Sequence, residues 1–550
     1  MHSCCSKIND VSHVHSSQNL ESTVPFFVGV IGHRHLRSEE IPRLQQEFDS
    51  HIKSLLGSLK ATKIIVLTGI AEGADRIPQA SQYREHFSIC AVLPMEKIEY
   101  AKDFPSKKER AAFQEALNQC EYIVISPHSP TGRLSIRLRD KAYQECARWI
   151  SDNSNLLIGF WDGLEPRGIA GTSETVNYRT SEVYAKPSAR EKESEFLHIQ
   201  ASNGDRDFKE NCSCTGHVMD DTKHKKFIDE LDNLNRLMEP SKNRHEGDQL
   251  KLFFTQFDTS ATTLQKRFNR RTVSLFACAL ITLQLAFIQQ QTFSLLWLSL
   301  SALTMMVTLT LWWSLWKLRI KSAYETFRFV AELLRIQIWW NECGLKVNAL
   351  YDNVEYHDIK GPTYSLLKNI FVYSTMAKPD SAEAIKQVKK ESSERVESKW
   401  IEDQIRYLIG SETKLGAIER NRIAAKRGLV FMILSLALAG IIQIFSTVIS
   451  WLDVIETGSV LDLALKFIFP FLLSIAASVA AYAKLMGYKE VKILYDLKLR
   501  RLEIALAQLS RLELKSDSTL IVKSVGNASL TESLRWFQLK GDREIRPFQS

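Results

Sequence analysis

The chain of 550 residues carries a formal net charge of +8 at pH 7, 45% hydrophobic residues and nine cysteines. Its length allows two or three domains, and a slightly negative mean hydropathy means that the apolar material is gathered into segments. The charge is modest for this length and no zinc-finger, RNP or basic-helix pattern accompanies it, so no nucleic-acid partner is expected; the cysteines form no disulfide framework, and Cys90, Cys120, Cys146 and Cys278 lie in apolar surroundings, as reduced core thiols do.

Residues 1–23 hold no apolar run and read as a disordered tail, not a secretory signal. His2, Cys4, Cys5, His13 and His15 are metal-ligand types, as are Cys212, Cys214, His217 and His224 further on. Neither set has a finger spacing, and no metal is expected.

Residues 24–184 alternate short β-rich runs with helical patterns, which predicts a doubly wound, Rossmann-like α/β domain. Strands are expected at 26–31, 63–68, 86–93, 122–126 and 155–161. Ligands of open α/β sheets sit beyond the carboxyl ends of the strands, and glycines fall there. The first strand runs into Gly32, His33 and Arg34; the second ends in residues 68–76 (TGIAEGADR); a third turn occupies 168–174 (GIAGTSE). Glycine lets backbone N–H groups approach an anion, and a following helix N-terminus adds favourable charge. Arg34 and Arg76 suit a phosphate, and Glu72 and Asp75 suit ribose hydroxyls or helix caps. The candidate ligand-binding set is Gly32, His33, Arg34, Thr68, Gly69, Glu72, Gly73, Asp75, Arg76, Gly171, Thr172 and Glu174.

Residues 185–250 are charged and poor in apolar periodicity apart from a short helix near 227–238, and read as a linker or insertion. Residues 251–349 then carry two apolar spans at about 273–290 and 293–316, joined by a polar turn at Gln289, Gln290, Gln291 and Thr292. A helical connector follows at 350–400. Residues 401–515 repeat the hairpin with spans at about 429–452 and 461–486, and 516–550 form a polar tail. Each span approaches or exceeds the roughly 20 residues that cross a bilayer. Lys266, Arg267, Arg270 and Arg271 precede the first pair, and Lys317, Arg319 and Lys321 follow it. Arg422, Lys426 and Arg427, then Lys484, Lys489 and Lys492, flank the second pair. That pattern places both termini and all soluble parts in the cytoplasm. Lys466 is expected to snorkel and Pro470 to kink the fourth span. Apolar seams continue beyond the spans at Ile320, Tyr324, Phe327, Ala331, Leu334 and Ile338, and again from Val491 to Leu509. They suit packing within one subunit or self-association.

The pairing of residues 30–34 (VIGHR) with 67–76 (LTGIAEGADR) resembles the SLOG superfamily, the Rossmann-like group that includes Smf/DprA and the LONELY GUY enzymes. Supporting runs are 93–94, 100–104, 154–163 and 171–174, over about 160 residues. Residues 324–344, with Arg328, Ala331, Glu332 and Arg335 before a tryptophan-rich stretch, resemble the SLATT family of paired transmembrane effectors. The resemblance implies a bacterial conflict system in which a SLOG domain senses a nucleotide-derived signal and a membrane partner responds. LONELY GUY phosphoribohydrolases carry a proline and paired glycines ahead of Gly-Thr and a glutamate. This chain keeps Gly171, Thr172 and Glu174 behind Gly168-Ile169-Ala170, an incomplete pattern. The expectation is therefore a non-enzymatic sensor-effector at the bacterial inner membrane, homo-oligomeric, without a resident cofactor, answering a nucleotide or NAD-derived small molecule by permeabilising the bilayer. A membrane-anchored nucleotide hydrolase and a nucleotide-gated channel are the alternatives.

Overall fold

The computed structural model describes residues 23–127, 134–164, 171–180, 195–204, 221–240, 248–292, 294–317, 319–345, 347–350, 362–376, 400–452, 460–509 and 515–541. The tail 1–22, the cysteines at 212 and 214 and the turn 165–170 lie outside them, as do residues 351–361 and 377–399 of the expected connector 350–400 and residues 453–459 between the last two apolar stretches. The chain forms two compact units, Met1–Gln256 with Val354–Asp380, and Phe257–Asn353 with Ser381–Ser550.

In the first unit the order is β1 (Phe26–Gly32), α1 (Ile41–Ser58), β2 (Ile64–Thr68), a 3-10 helix Gly73–Ala80, β3 (Phe87–Leu93), α2 (Lys97–Tyr100), α3 (Lys107–Asn118), β4 (Tyr122–Ile125), α4 (Ile136–Asn153), β5 (Leu156–Trp161), α5 (Thr172–Thr180), β6 (Glu195–Gln200) and α6 (Asp221–Leu237). The chain continues through α7 (Gln249–Thr292), α8 (Leu295–Lys317) and α9 (Ile320–Glu342), then returns to this unit as α10 (Pro362–Met376). The six strands form one sheet in the order β4-β3-β2-β1-β5-β6, and every pairing is parallel. A parallel sheet needs both faces covered, so its strands read as continuous apolar runs. All seven residues of β3 and all five of β2 are accordingly buried. Local signals place the helices: α3 opens on a Ser106/Glu109 capping box, and α1 has a proline in its first turn.

The stretch expected as a linker or insertion supplies β6 and α6. Phe227 packs 6.3 Å from Phe26, the Asn235 carboxamide is hydrogen-bonded to both Val24 N and Val24 O, and Asp232 accepts from Ala61 N and Thr62 Oγ1. The connector likewise supplies α10, where Asn369 donates to Pro25 O and Asn155 Oδ1 at 2.8 Å each. The contacts that fix both segments run through a few polar side chains and isolated aromatics, which no local pattern announces.

The second unit adds α11 (Glu402–Ile409), a hairpin of β7 (Gly410–Ser411) and β8 (Lys414–Leu415), α12 (Ala417–Trp451), α13 (Val460–Met486), α14 (Tyr488–Leu509) and α15 (Lys515–Gly541). Among the described residues four stretches, in α7, α8–α9, α12 and α13–α14, are long and apolar enough to cross a membrane, with mean hydropathy of 1.7 to 2.4. Many leucines and isoleucines of α8 and α12, among them Leu296, Leu303, Ile441 and Ile444, are exposed, while Gln284 Nε2 donates to Ser474 Oγ at 2.9 Å and Phe276 meets Tyr482 edge to face between α7 and α13. Helix α13 runs on past Pro470.

Helix α9 is buried on nearly every face, with Phe327, Val330, Leu333, Leu334, Ile336 and Trp340 all closed to solvent. The sequence seam on α9 is thus part of the centre of a bundle within the chain. The expected polar tail supplies α15, which stacks Phe537 on Phe329 at 5.0 Å and seats Gly526 against Trp340, where an added Cβ would lie 2.3 Å from the indole nitrogen. A charged chain threads this bundle: Asp258 pairs with Arg328 at 2.8 Å, and Glu332 pairs with Arg335 at 2.7 Å and with Lys498 at 2.9 Å. Burial pushes the nearby Glu532 carboxyl up to about 7, against the pull of Lys498.

Candidate functional site

The strand order reverses beside β1: the chain steps outward through β2, β3 and β4, then crosses to β5 on the other side. Such a switch point opens a crevice at the carboxyl ends of the two central strands. Gly32, His33 and Arg34 leave β1 there, opposite Asp162 after β5. His33 N donates to Phe160 O at 3.1 Å. His33 Nε2 lies 3.0 Å from Asp162 N and 3.2 Å from Asp162 Oδ1. With its proton on Nδ1 the ring accepts from Asp162 N at Nε2.

The turn after β2 is locked onto the turn after β1. Ala74 N donates to His33 O at 3.1 Å, and Gly73 adopts φ +73° with its α-carbon so close that a Cβ would lie 2.3 Å from Arg34 O. Gly32 is equally constrained, since a Cβ there would lie 2.4 Å from the Ala74 Cβ. These glycines serve close approach of two backbone turns, which is one of the two uses of glycine at such positions. Within the second turn Thr68 Oγ1 donates to Asp75 O at 2.8 Å, and Ala71 N donates to Asp75 Oδ2 at 3.1 Å. The buried Ile70 is held at φ +56°, a conformation costly for a β-branched residue. Burial pushes the Asp75 carboxyl up to about 6, opposed by the Ala71 N–H, Arg76 and Arg34.

Arg34 and Arg76 converge on one aromatic ring, 5.4 and 6.0 Å from the centroid of Phe104. Arg34 also donates from Nη2 to Asp103 O at 3.1 Å and lies 3.8 Å from Glu72. Nε and Nη2 of Arg76 are buried without a hydrogen-bond partner, as is Nε of Arg34. Leaving a buried donor unpaired costs about 1–3 kcal/mol, so this cluster holds uncompensated donor capacity. Around it, Asp103 accepts from Arg139 Nη1 at 2.5 Å and from Tyr143 OH at 2.6 Å, and Arg139 also binds Glu99.

Nine of the twelve expected site residues therefore meet: Gly32, His33, Arg34, Thr68, Gly69, Glu72, Gly73, Asp75 and Arg76. Gly171, Thr172 and Glu174 open α5, and Glu174 Oε1 is taken by Arg148 Nη2 and Gln144 Nε2 of α4, each at 2.8 Å. Phe104, Asp103 and Asp162 fall inside runs that the sequence marks without singling them out. Arg139 and Tyr143 carry only a faint signal, one face of a helix at a spacing of four. Among the described residues no group of three or more His, Cys, Asp or Glu side chains is placed to hold a metal. No protein-family model, curated protein or solved structure matches the chain.

Proposed function

We propose that the chain is a sensor-effector whose α/β unit binds a nucleotide-derived anion in the crevice at the ends of β1, β2 and β5, and whose four apolar helices form a membrane module that the ligand opens. The observation that carries this reading is the buried, unpartnered edge of Arg76 beside Arg34 and Phe104. A phosphate would satisfy those donors through the guanidinium edge. Binding is favoured over hydrolysis because the turn lacks the proline and paired glycines of the LONELY GUY pattern and Oε1 of Glu174 is engaged by Arg148 and Gln144, although its Oε2 is buried without a hydrogen-bond partner. Coupling has a covalent basis: the first apolar hairpin is inserted between two segments of the α/β unit, through Gln256 at one end and Val354 at the other. A ligand shifts the module only by its differential affinity for the two states, and a hundredfold preference supplies about 2.7 kcal/mol. Several copies around one axis would complete a pore.

The test is the melting of the full chain in detergent against nucleotides, cyclic oligonucleotides and ADP-ribose derivatives. At 100 times its dissociation constant a ligand stabilises by about 2.7 kcal/mol. The shift disappears in Arg76→Ala and weakens in Arg34→Ala; a shift that both variants retain overturns the site, and no shift with any compound overturns the sensor.

A further inference from the structure

A cavity of about 250 Å³ lies between α12 and α13, in the second unit. One wall is Ala425, Gly428 and Met432, a single face of α12; the other is Val479, Ala480 and Ala483 of α13. Small side chains keep the two helices from filling the space: a Cβ added to Gly428 would still stand 3.9 Å from Ala483 Cβ and 4.0 Å from Val479 Cγ1. The mouth is chemically different. Lys484 and Lys489 line it, and Lys426 and Arg427 precede Gly428 on the facing helix, all four exposed. Gly487, at φ +62°, ends α13 and starts α14 at this level, which brings Tyr488, Lys489 and Glu490 over the opening.

Apolar walls below a mouth lined by Lys484 and Lys489, with one carboxylate, Glu490, beside them, match an amphiphile with an anionic head. A free phosphate would leave the walls empty, and a zwitterionic lipid would gain little from the lysines. The level is also right, because Gly428 and Ala483 sit where the apolar runs give way to their basic flanks, the depth at which headgroups meet acyl chains. We propose that this cleft is a binding site for an anionic phospholipid, one acyl chain between α12 and α13 and the phosphate against Lys484 and Lys489. The site rests on the reading of these helices as membrane spans, and is independent of the nucleotide crevice.

The experiment uses the full chain in a neutral detergent. Its melting is followed with phosphatidylglycerol, with phosphatidylcholine of the same chains and with glycerol phosphate. Phosphatidylglycerol raises the melting temperature by about 3 °C or more, phosphatidylcholine by far less and glycerol phosphate not at all. Gly428→Trp, which fills the cleft, and the double variant Lys484→Gln/Lys489→Gln each abolish the difference between the two lipids. The lysines are exposed, so the double variant decides the matter if Gly428→Trp fails to fold. Equal shifts with both lipids, a shift with glycerol phosphate, or a phosphatidylglycerol shift that survives the double variant overturns the site. Resistance of the chain to extraction from membranes by alkaline carbonate separates this outcome from failure of the spans themselves: release by carbonate overturns both, whereas retention without a lipid-selective shift overturns the cleft alone.

Discussion

At the scale of single residues the crevice is set by what cannot be changed. Gly73 has both a positive φ and no room for a Cβ, so its neighbour Asp75 is held beside Arg76 by geometry that the ligand does not have to create. Asp75 gives a test of that burial. Its folded-state value of about 6 lies above the ordinary 3.8, so the folded form binds the proton more tightly than the unfolded chain does. The stabilising effect of the neutral carboxyl is complete below about 3.8 and is lost as pH rises through about 6. Asp75→Asn keeps the shape without the titration. The variant is therefore more stable than the parent at pH 7, and the gap narrows at pH 5 and closes only below about 3.8, as urea midpoints would show. An equal gap at both pH values would mean that the carboxyl is hydrated. The glycines and arginines of this site are legible in the sequence because turns after strands restrict residue type sharply. Arg139 and Tyr143 are not, since their partner Asp103 lies 36 and 40 positions away and no local rule links them.

At the scale of elements, five strand positions follow from short apolar runs bounded by polar turns, and four spans from uninterrupted hydropathy. Helix α6 is legible as a helix near 227–238 but not as part of the α/β unit, and α10 and α15 are hidden because their amphipathicity is weak where a helix is fixed by a carboxamide or by a glycine seated on a tryptophan. The same holds for the charges inside the helical bundle. Arg328, Glu332 and Arg335 stand three and four apart, a spacing that reads equally well as a solvated face. In the fold Glu332 and Lys498 are only 9% and 11% exposed and join α9 to α14. A buried pair contributes little net stability when complete but is costly to break. Glu332→Gln leaves Lys498 and Arg335 facing a neutral group and destabilises the bundle by about 3–5 kcal/mol. Adding Lys498→Met restores part of the loss, giving a coupling of about 1–3 kcal/mol in a double-mutant cycle read by denaturant unfolding. Additive effects would show that the two side chains act separately.

At the scale of the whole molecule, the α/β unit is not the contiguous stretch 24–184 that the motifs delimit. Its sheet ends in β6, and its strands are backed by α6 and α10, which come from beyond residue 184 and, for α10, from beyond the first apolar hairpin. Removing them strips one strand from β5 and leaves Phe26 without Phe227. It also leaves the Asn155 side chain, which serves Phe27 N and Asn369, without its Asn369 partner. Burial of such apolar surface supplies about 25 cal/mol per Å², whereas a domain's whole margin is about 5–15 kcal/mol. A fragment of residues 24–184 therefore lacks a cooperative thermal transition and exposes hydrophobic dye-binding surface. A fragment of residues 23–240 joined by a short Gly-Ser linker to residues 362–376 melts cooperatively, because it restores the missing strand and both helices without the hairpin. Circular dichroism melts of the two fragments decide the point. Cooperative unfolding of the shorter one would make the later segments accessory, and the first hairpin would then be a continuation of the α/β unit instead of an insertion held at both ends.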